Sequence, residues 1–378
     1  MSGASGASGA SGASGASGAS GASGASGASG AAGVTRWYAG LGTPLFADAL
    51  VTNRDGIVGT WVPLGGTTLP GGQLSLEDTA NLLRWEPWVR GWLFDFELFS
   101  RLQFTHRVEN GKKVSTIWHL DLDPTAATPT AQCKKLAALV RPDDPTFIAQ
   151  LDLVNGYSDL REDRESEILA QMEPPIAFWS SIVYLHPDRT RWTLELLGAA
   201  LRLAGFVEMR IKHSLASLRA VNLSPQIQPM ILTPGHSSFP SGHSTEGFTV
   251  AYVLWKLIAN PTPLRCEQLM RQAARVAINR TIAGLHFPVD SAAGALLGLT
   301  LGEYLVSRCD AASSYYPRSF KGDAYPATDD FNWRLLYDVA LDAPPAVKPA
   351  FADWGAATAS QESPILKWLW KRAKKEWK

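Results

Sequence analysis

Only three cysteines occur in 378 residues, Cys133, Cys266 and Cys309, and they are widely spaced in helix-like surroundings. An odd, scattered set cannot build a disulfide framework and supplies no zinc knuckle, so the three are read as buried thiols. Net charge is missing too. Lys+Arg and Asp+Glu both number 35, which argues against a nucleic-acid partner and leaves any anion site to a local cluster. No apolar stretch is expected to reach the length of a membrane span, since the longest, around Ala292–Val306 and Phe248–Ala259, contain Glu303 and Lys256. Neither a basic start nor an apolar stretch follows Met1, so no signal peptide is read. The expectation is a soluble protein, cytoplasmic by default and not integral to a membrane.

Large side chains are absent from residues 2–31, which are ten copies of Ser-Gly-Ala. Such a composition cannot offset its ordering entropy, so residues 1–33 are expected to be a disordered linker. Residues 34–378 are then enough for one large helical domain of two packed bundles. Within it, Val34–Gly72 reads as an irregular arm. A first helix is expected from Ser75 to Phe99, carrying Trp85, Trp88 and Trp92. Two short runs joined across Asn110-Gly111 predict a β-hairpin, because that dipeptide tolerates positive φ. From Thr130 onward the pattern reads as helical: 131–140, 160–172, 176–185, 190–220, 244–259, 264–282 and 288–309. The expected class is all-α with a minor hairpin. Residues 364–378 alternate an apolar stripe (Leu366, Leu369, Trp370, Ala373, Trp377) with lysines, an amphipathic basic helix whose first expectation is packing on its own chain.

Three segments between residues 190 and 310, the expected active-site half, carry chemistry. In the first, Lys212 and Arg219 are seven residues apart, two turns if the helix continues, so both could reach one ligand. Alone, such a pair is usually a solvated face. Second comes Pro240-Ser241-Gly242-His243, just before a helix. A helix start offers unpaired amides, Gly242 permits close approach of an anion, Ser241 adds a hydroxyl, and His243 stands at the anion's edge for proton transfer. An ordinary cap with a surface histidine is the bland alternative. The third runs from Arg280 through His286 to Asp290. Gly284 breaks one helix and Pro288 opens the next, placing His286 at the junction with Asp290 in reach to orient it, or simply to stabilise the helix start.

In order and internal spacing, the three segments together resemble the superfamily of phosphatidic acid phosphatase type 2 and class A acid phosphatases, which includes the vanadium-dependent haloperoxidases. The resemblance implies that Lys212, Arg219, Ser241, Gly242 and Arg280 bind oxyanion oxygens, that His243 is the acid/base, and that Asp290 supports His286. It makes His286 either a vanadium ligand or a phosphoryl-accepting nucleophile. Ala220 stands where the pattern usually has Pro, and Asn279 where it often has Ser. His236, seven positions before His243, is similar to the histidine found there in bromide-oxidising members. The branch thus implied is a haloperoxidase on bound vanadate, oxidising bromide, and also iodide, with hydrogen peroxide, in a dimer or larger homo-oligomer. Phosphate-monoester hydrolysis through a phosphohistidine is the alternative, and a non-catalytic helical scaffold a third reading.

Overall fold

The Asn110-Gly111 pair takes the two positive φ angles, 50° and 76°, that a tight hairpin turn requires. It joins β1 (Leu102–Glu109) to β2 (Lys112–Leu122) with Glu109 opposite Lys112. The hairpin is only the beginning. β3 (Ala131–Val140), β4 (Arg318–Lys321) and β5 (Ala352–Trp354) extend it into a five-stranded sheet in the order β1-β2-β3-β4-β5, with β3 and β4 parallel and the other pairs antiparallel. The all-α expectation is therefore corrected to a helix-rich fold with a mixed sheet. The miss lies at β3, predicted as a helix because Ala, Leu and Lys are good helix formers. Pairing on both edges and burial of Leu136, Ala137 and Leu139 outweigh that weak preference.

This computed structural model describes residues 44–59, 74–122, 128, 130–172 and 176–378. The repeat and most of the predicted arm lie outside the described residues. Two compact units are resolved by contacts, residues 1–90 and 91–378. In the first, α1 (Pro44–Val58) is helical where an irregular arm was expected. The single helix predicted from Ser75 is instead a 3-10 turn, Thr79–Arg84, capped by Asp78, followed by α2 (Pro87–Phe99). Proline lacks the N–H a continuing helix needs but suits a first turn, so Pro87 divides the two.

The second unit holds α3 (Asp144–Ala149), α4 (Leu151–Gly156), α5 (Arg161–Ala170), α6 (Arg191–Leu215), α7 (Ala220–Leu223), α8 (Gly242–Leu257), α9 (Pro263–Ile282), α10 (Pro288–Cys309) and α11 (Pro364–Lys375). The predicted 176–185 helix shortens to a 3-10 turn, Ile176–Ser181. α8 is the hub and packs on α6, α9 and α10. Its contact with α10 is close because Gly294, Gly298 and Gly302 line one face of α10: a Cβ on Gly298 would lie 2.3 Å from the Thr245 carbonyl. Every residue of α10 is buried. Against expectation, α10 is long and apolar enough to cross a membrane, yet here it is covered throughout by protein. Glu303, the charge between Asp290 in its first turn and Arg308 in its last, forms a bidentate pair with Arg318 of β4 at 2.7 Å, both side chains fully buried. That pair ties the sheet to the helical core.

On α11, Leu366, Leu369, Trp370 and Ala373 are buried in the protein's own core. Glu376 follows it and accepts from the Trp192 and Thr193 amides at 2.9 Å, capping α6. Of the cysteines, Cys266 and Cys309 are buried as expected, whereas Cys133, on a strand rather than a helix, is exposed.

Candidate active site

α6 stops sooner than the sequence suggested. Ala216 turns left-handed at φ 48° and ends the helix after Leu215, so Lys212 and Arg219 do not share a helical face. Arg219 instead precedes the short α7, where Ala220 is the first helical residue. A first helical position suits proline as well as alanine, so either residue is compatible with this start. The two cations still converge, through the chain that passes between them. Lys212 Nζ donates to the carbonyls of Ser237, Ser238 and Pro240. Arg219 donates to the carbonyls of His236 at 3.1 Å and Leu285 at 2.9 Å. Burial pulls both cations' pKa values down from their usual range.

The turn before α8 is pinned from the start of α10. Ser241 caps α8, its hydroxyl facing the Ser244 amide, while its own N–H donates to the Asp290 carbonyl at 3.0 Å. Gly284, at φ 77°, closes α9, the amides of Leu285 and His286 returning to the Arg280 carbonyl, and Pro288 opens α10. Between them His286 points its Nδ1 at Asp290 Oδ2, 3.0 Å away. The same oxygen accepts from the Phe287 amide at 3.1 Å and from the Ser238 hydroxyl. A carboxylate acceptor at Nδ1 places the neutral ring's proton there and leaves Nε2 with its lone pair, 3.4 Å from an Arg219 guanidinium nitrogen. Burial and then the charges of Arg219 and Lys212 push the His286 pKa well below the ordinary imidazole value. Burial raises that of Asp290 to about 6, opposed by the Ser238 hydrogen bond.

Arg280 and His243 meet at a residue that sequence reasoning did not single out. Gln171, fully buried just past α5, accepts His243 Nε2–H on its carbonyl at 2.7 Å and an Arg280 guanidinium N–H at 3.4 Å. Arg280 also donates to the Ile168 carbonyl, and its Nε is buried without a partner. Helix ends leave carbonyls unpaired, and here they orient a cation and a histidine. Nothing in the sequence around Gln171 announces this. Burial, then Arg280, pushes the His243 pKa down to about 3.

His236 lies beside the cluster, its Nδ1 3.2 Å from Arg219 and from the Ser237 carbonyl. The structure thus brings together all the predicted residues: Lys212, Arg219, Ser241, Gly242, His243, Arg280, His286 and Asp290, with His236 at the edge. One more acid joins them. Glu208, a turn before Lys212, was not foreseen, and its carboxylate lies against Gly242. Three buried cations, an α8 N-terminus and an unprotonated imidazole nitrogen together form a cradle whose chemistry suits a tetrahedral oxyanion. Vanadate and phosphate have that shape and charge, and the partnerless Arg280 Nε is a donor still available to either.

Residues 193–311 match the sequence model of the PAP2 superfamily. That segment contains every residue of the cradle but not Gln171. Over 114 residues the chain is 30% identical to decaprenylphosphoryl-5-phosphoribose phosphatase of two Mycobacterium tuberculosis strains, covering 30% of this chain. The chain spans 59% of the length of those curated relatives. Among solved structures, a transmembrane PAP2 type phosphatidylglycerolphosphate phosphatase from Bacillus subtilis is similar over 42% of this chain and 81% of its own, at 18% identity and a TM-score of 0.28. The curated relatives named here are phosphatases, which favours the alternative of the sequence reading, phosphate-monoester hydrolysis, over the haloperoxidase expectation.

Proposed function

We propose that this chain hydrolyses phosphate monoesters through a phosphohistidine on His286. The observation that carries the proposal is the polarity of the His286 ring, with Nδ1–H held by Asp290 and Nε2 turned to the cationic cradle. The 30% identity to a phosphatase supports it. Lys212, Arg219, Arg280 and the α8 N-terminus hold the three non-bridging oxygens and stabilise the charge that spreads over them as the ester bond stretches. Nε2 attacks phosphorus, an N–P bond forms and the P–O ester bond breaks. The Asp290 carboxylate stabilises the developing charge on the ring.

His243 manages the proton. Burial and Arg280 hold its pKa down, and the negative charge of a bound phosphate ester offsets those cations and raises its proton affinity. Because Nε2 is committed to the Gln171 carbonyl, Nδ1 is the atom that gives a proton to the leaving oxygen. In the second half-reaction Nδ1 takes a proton from water as the water displaces His286 from phosphorus. Inorganic phosphate then leaves.

A second reading keeps the same cradle for vanadate, with Nε2 of His286 as its nitrogen ligand, and rests on His236 beside Arg219. Bound vanadate would supply a Lewis-acid centre for peroxide chemistry without changing oxidation state. A paired assay separates the readings: phosphate release from p-nitrophenyl phosphate, and bromide-dependent peroxide consumption, each with and without orthovanadate. Hydrolysis that vanadate inhibits is the expected result. Vanadate-dependent bromide oxidation without ester hydrolysis would overturn it.

A further inference from the structure

The carboxylate of Glu208 lies against Gly242 at the α8 start. Glu208 stands one helical turn before Lys212 on α6, and only 6% of it is exposed. A Cβ added at Gly242 would come within 2.4 Å of Oε1 and 2.8 Å of Oε2, so the carboxylate fills the space that a side chain at Gly242 would occupy. Oε2 is buried and has no hydrogen-bond donor. Lys212 and Arg219 exert electrostatic pull on it, yet Lys212 donates to backbone carbonyls and Arg219 bonds to backbone carbonyls and the rings of His236 and His286. Burial raises the carboxyl pKa against that pull. A buried acceptor with nothing to accept is costly, and this one lies at Gly242, on the α8 start that the cradle reading assigns to the oxyanion.

Lys212, Arg219 and Arg280 are cations and can only donate, and the other acid of the cluster, Asp290, commits its Oδ2 to His286, the Phe287 amide and Ser238. Donors suit any oxyanion oxygen and cannot distinguish a protonated oxygen from a bare one. A carboxylate can, because it accepts from P–OH and repels P–O⁻.

We propose that Glu208 is a specificity-determining residue of the cradle, which selects oxyanions that carry a hydroxyl hydrogen. The proposal rests on the cradle reading above and adds a ligand class to it: inorganic phosphate, which keeps one hydroxyl in mildly alkaline water, and the monoanion of a phosphate ester, which has one. Sulfate and phosphodiesters have none. In the complex one proton lies between Glu208 and the ligand oxygen, satisfying the orphaned acceptor.

The test is isothermal titration of the full chain with inorganic phosphate and with sulfate at about pH 8.5, where the carboxylate is ionised and phosphate still bears its hydroxyl. Wild type should bind phosphate at least about tenfold more tightly than sulfate, the worth of one charge-assisted hydrogen bond. Glu208→Gln presents an amide that can donate as well as accept, and should bring the two anions within about threefold, chiefly by tighter sulfate binding. Glu208→Ala, which removes the group altogether, should do the same, and circular dichroism of both variants checks that they fold. Equal binding of the two anions by wild type, or discrimination retained in both variants, overturns the role of Glu208 and leaves the cradle intact. Failure of both anions to bind wild type and both variants overturns the cradle reading and this proposal with it.

Discussion

Asp290→Asn is the perturbation that probes the site's chemistry most finely, because it changes shape by almost nothing. Oδ2 of Asp290 accepts from His286 Nδ1, the Phe287 amide and the Ser238 hydroxyl. An amide nitrogen turned towards the ring would donate to Nδ1, driving the ring proton to Nε2 and removing the nucleophilic lone pair. In a hydrolytic triad, the same loss of tautomer costs about 10⁴ in kcat, so a fall on the order of 10³–10⁴ is expected here. Stability gives an independent readout. Burial raises the Asp290 pKa from 3.8 to about 6, so the folded protein binds this proton more tightly than the unfolded chain. The contribution is therefore fully present below about pH 4 and is lost as pH rises through about 6. A shift of some two units corresponds to roughly 3 kcal/mol of pH-dependent stability at this site. Because His243 and His286 titrate in the opposite sense, the informative quantity is the wild-type minus variant difference in urea unfolding. That difference should move against wild type between about pH 4 and 6. If the variant kept kcat within about tenfold of wild type, the claim that Asp290 sets the His286 tautomer would fail.

Three other variants test separate parts of the structure. His286→Ala should abolish ester hydrolysis while phosphate still binds within roughly tenfold, since the cations that hold it are untouched; a parallel loss of both would make the ring a structural element. Glu303→Gln leaves the Arg318 guanidinium buried with its charge unbalanced, and chemical unfolding should register a loss of about 3–5 kcal/mol; a loss below about 1 kcal/mol would show that water reaches the pair. In Gly298→Ala the added methyl meets the Thr245 carbonyl, so α8 and α10 must separate. Stability should drop by about 1–3 kcal/mol, together with phosphate affinity; unchanged affinity would uncouple the helix contact from the turn at Ser241.

The convergence of these side chains was legible in sequence because the three segments end or begin helices at particular residues. Gly284 and Pro288 predicted the α9–α10 junction that places His286, and the turn ahead of α8 was readable from Ser241 and Gly242. Partners that act through position were not legible. Gln171 meets His243 through its backbone carbonyl and Asn279 and Arg280 through its side-chain oxygen, and Glu208 matters only because the fold lays its carboxylate on Gly242. The Lys212–Arg219 spacing suggested a shared face and gave the right convergence by the wrong route, since Ala216 breaks the helix. Strand β3 was hidden for a different reason: its Ala and Lys content favours a helix, and only the pairing with β2 and with β4, far along the chain, makes it extended. In α10 the buried partner of Glu303 lies beyond the helix itself, so the sequence showed the charge as an interruption and not as a tie to the sheet.

The central claim, that His286 Nε2 is the nucleophile, is tested most directly by trapping the covalent intermediate. Protein mixed with a ³²P-labelled phosphate monoester is quenched in alkali, which preserves N–P bonds, and the labelled peptide is identified by mass spectrometry. The expected result is a phosphoryl group on the peptide containing His286, absent when His286→Ala is treated in the same way. Steady ester hydrolysis with no label on that peptide, or a His286→Ala variant that still turns over, would contradict it.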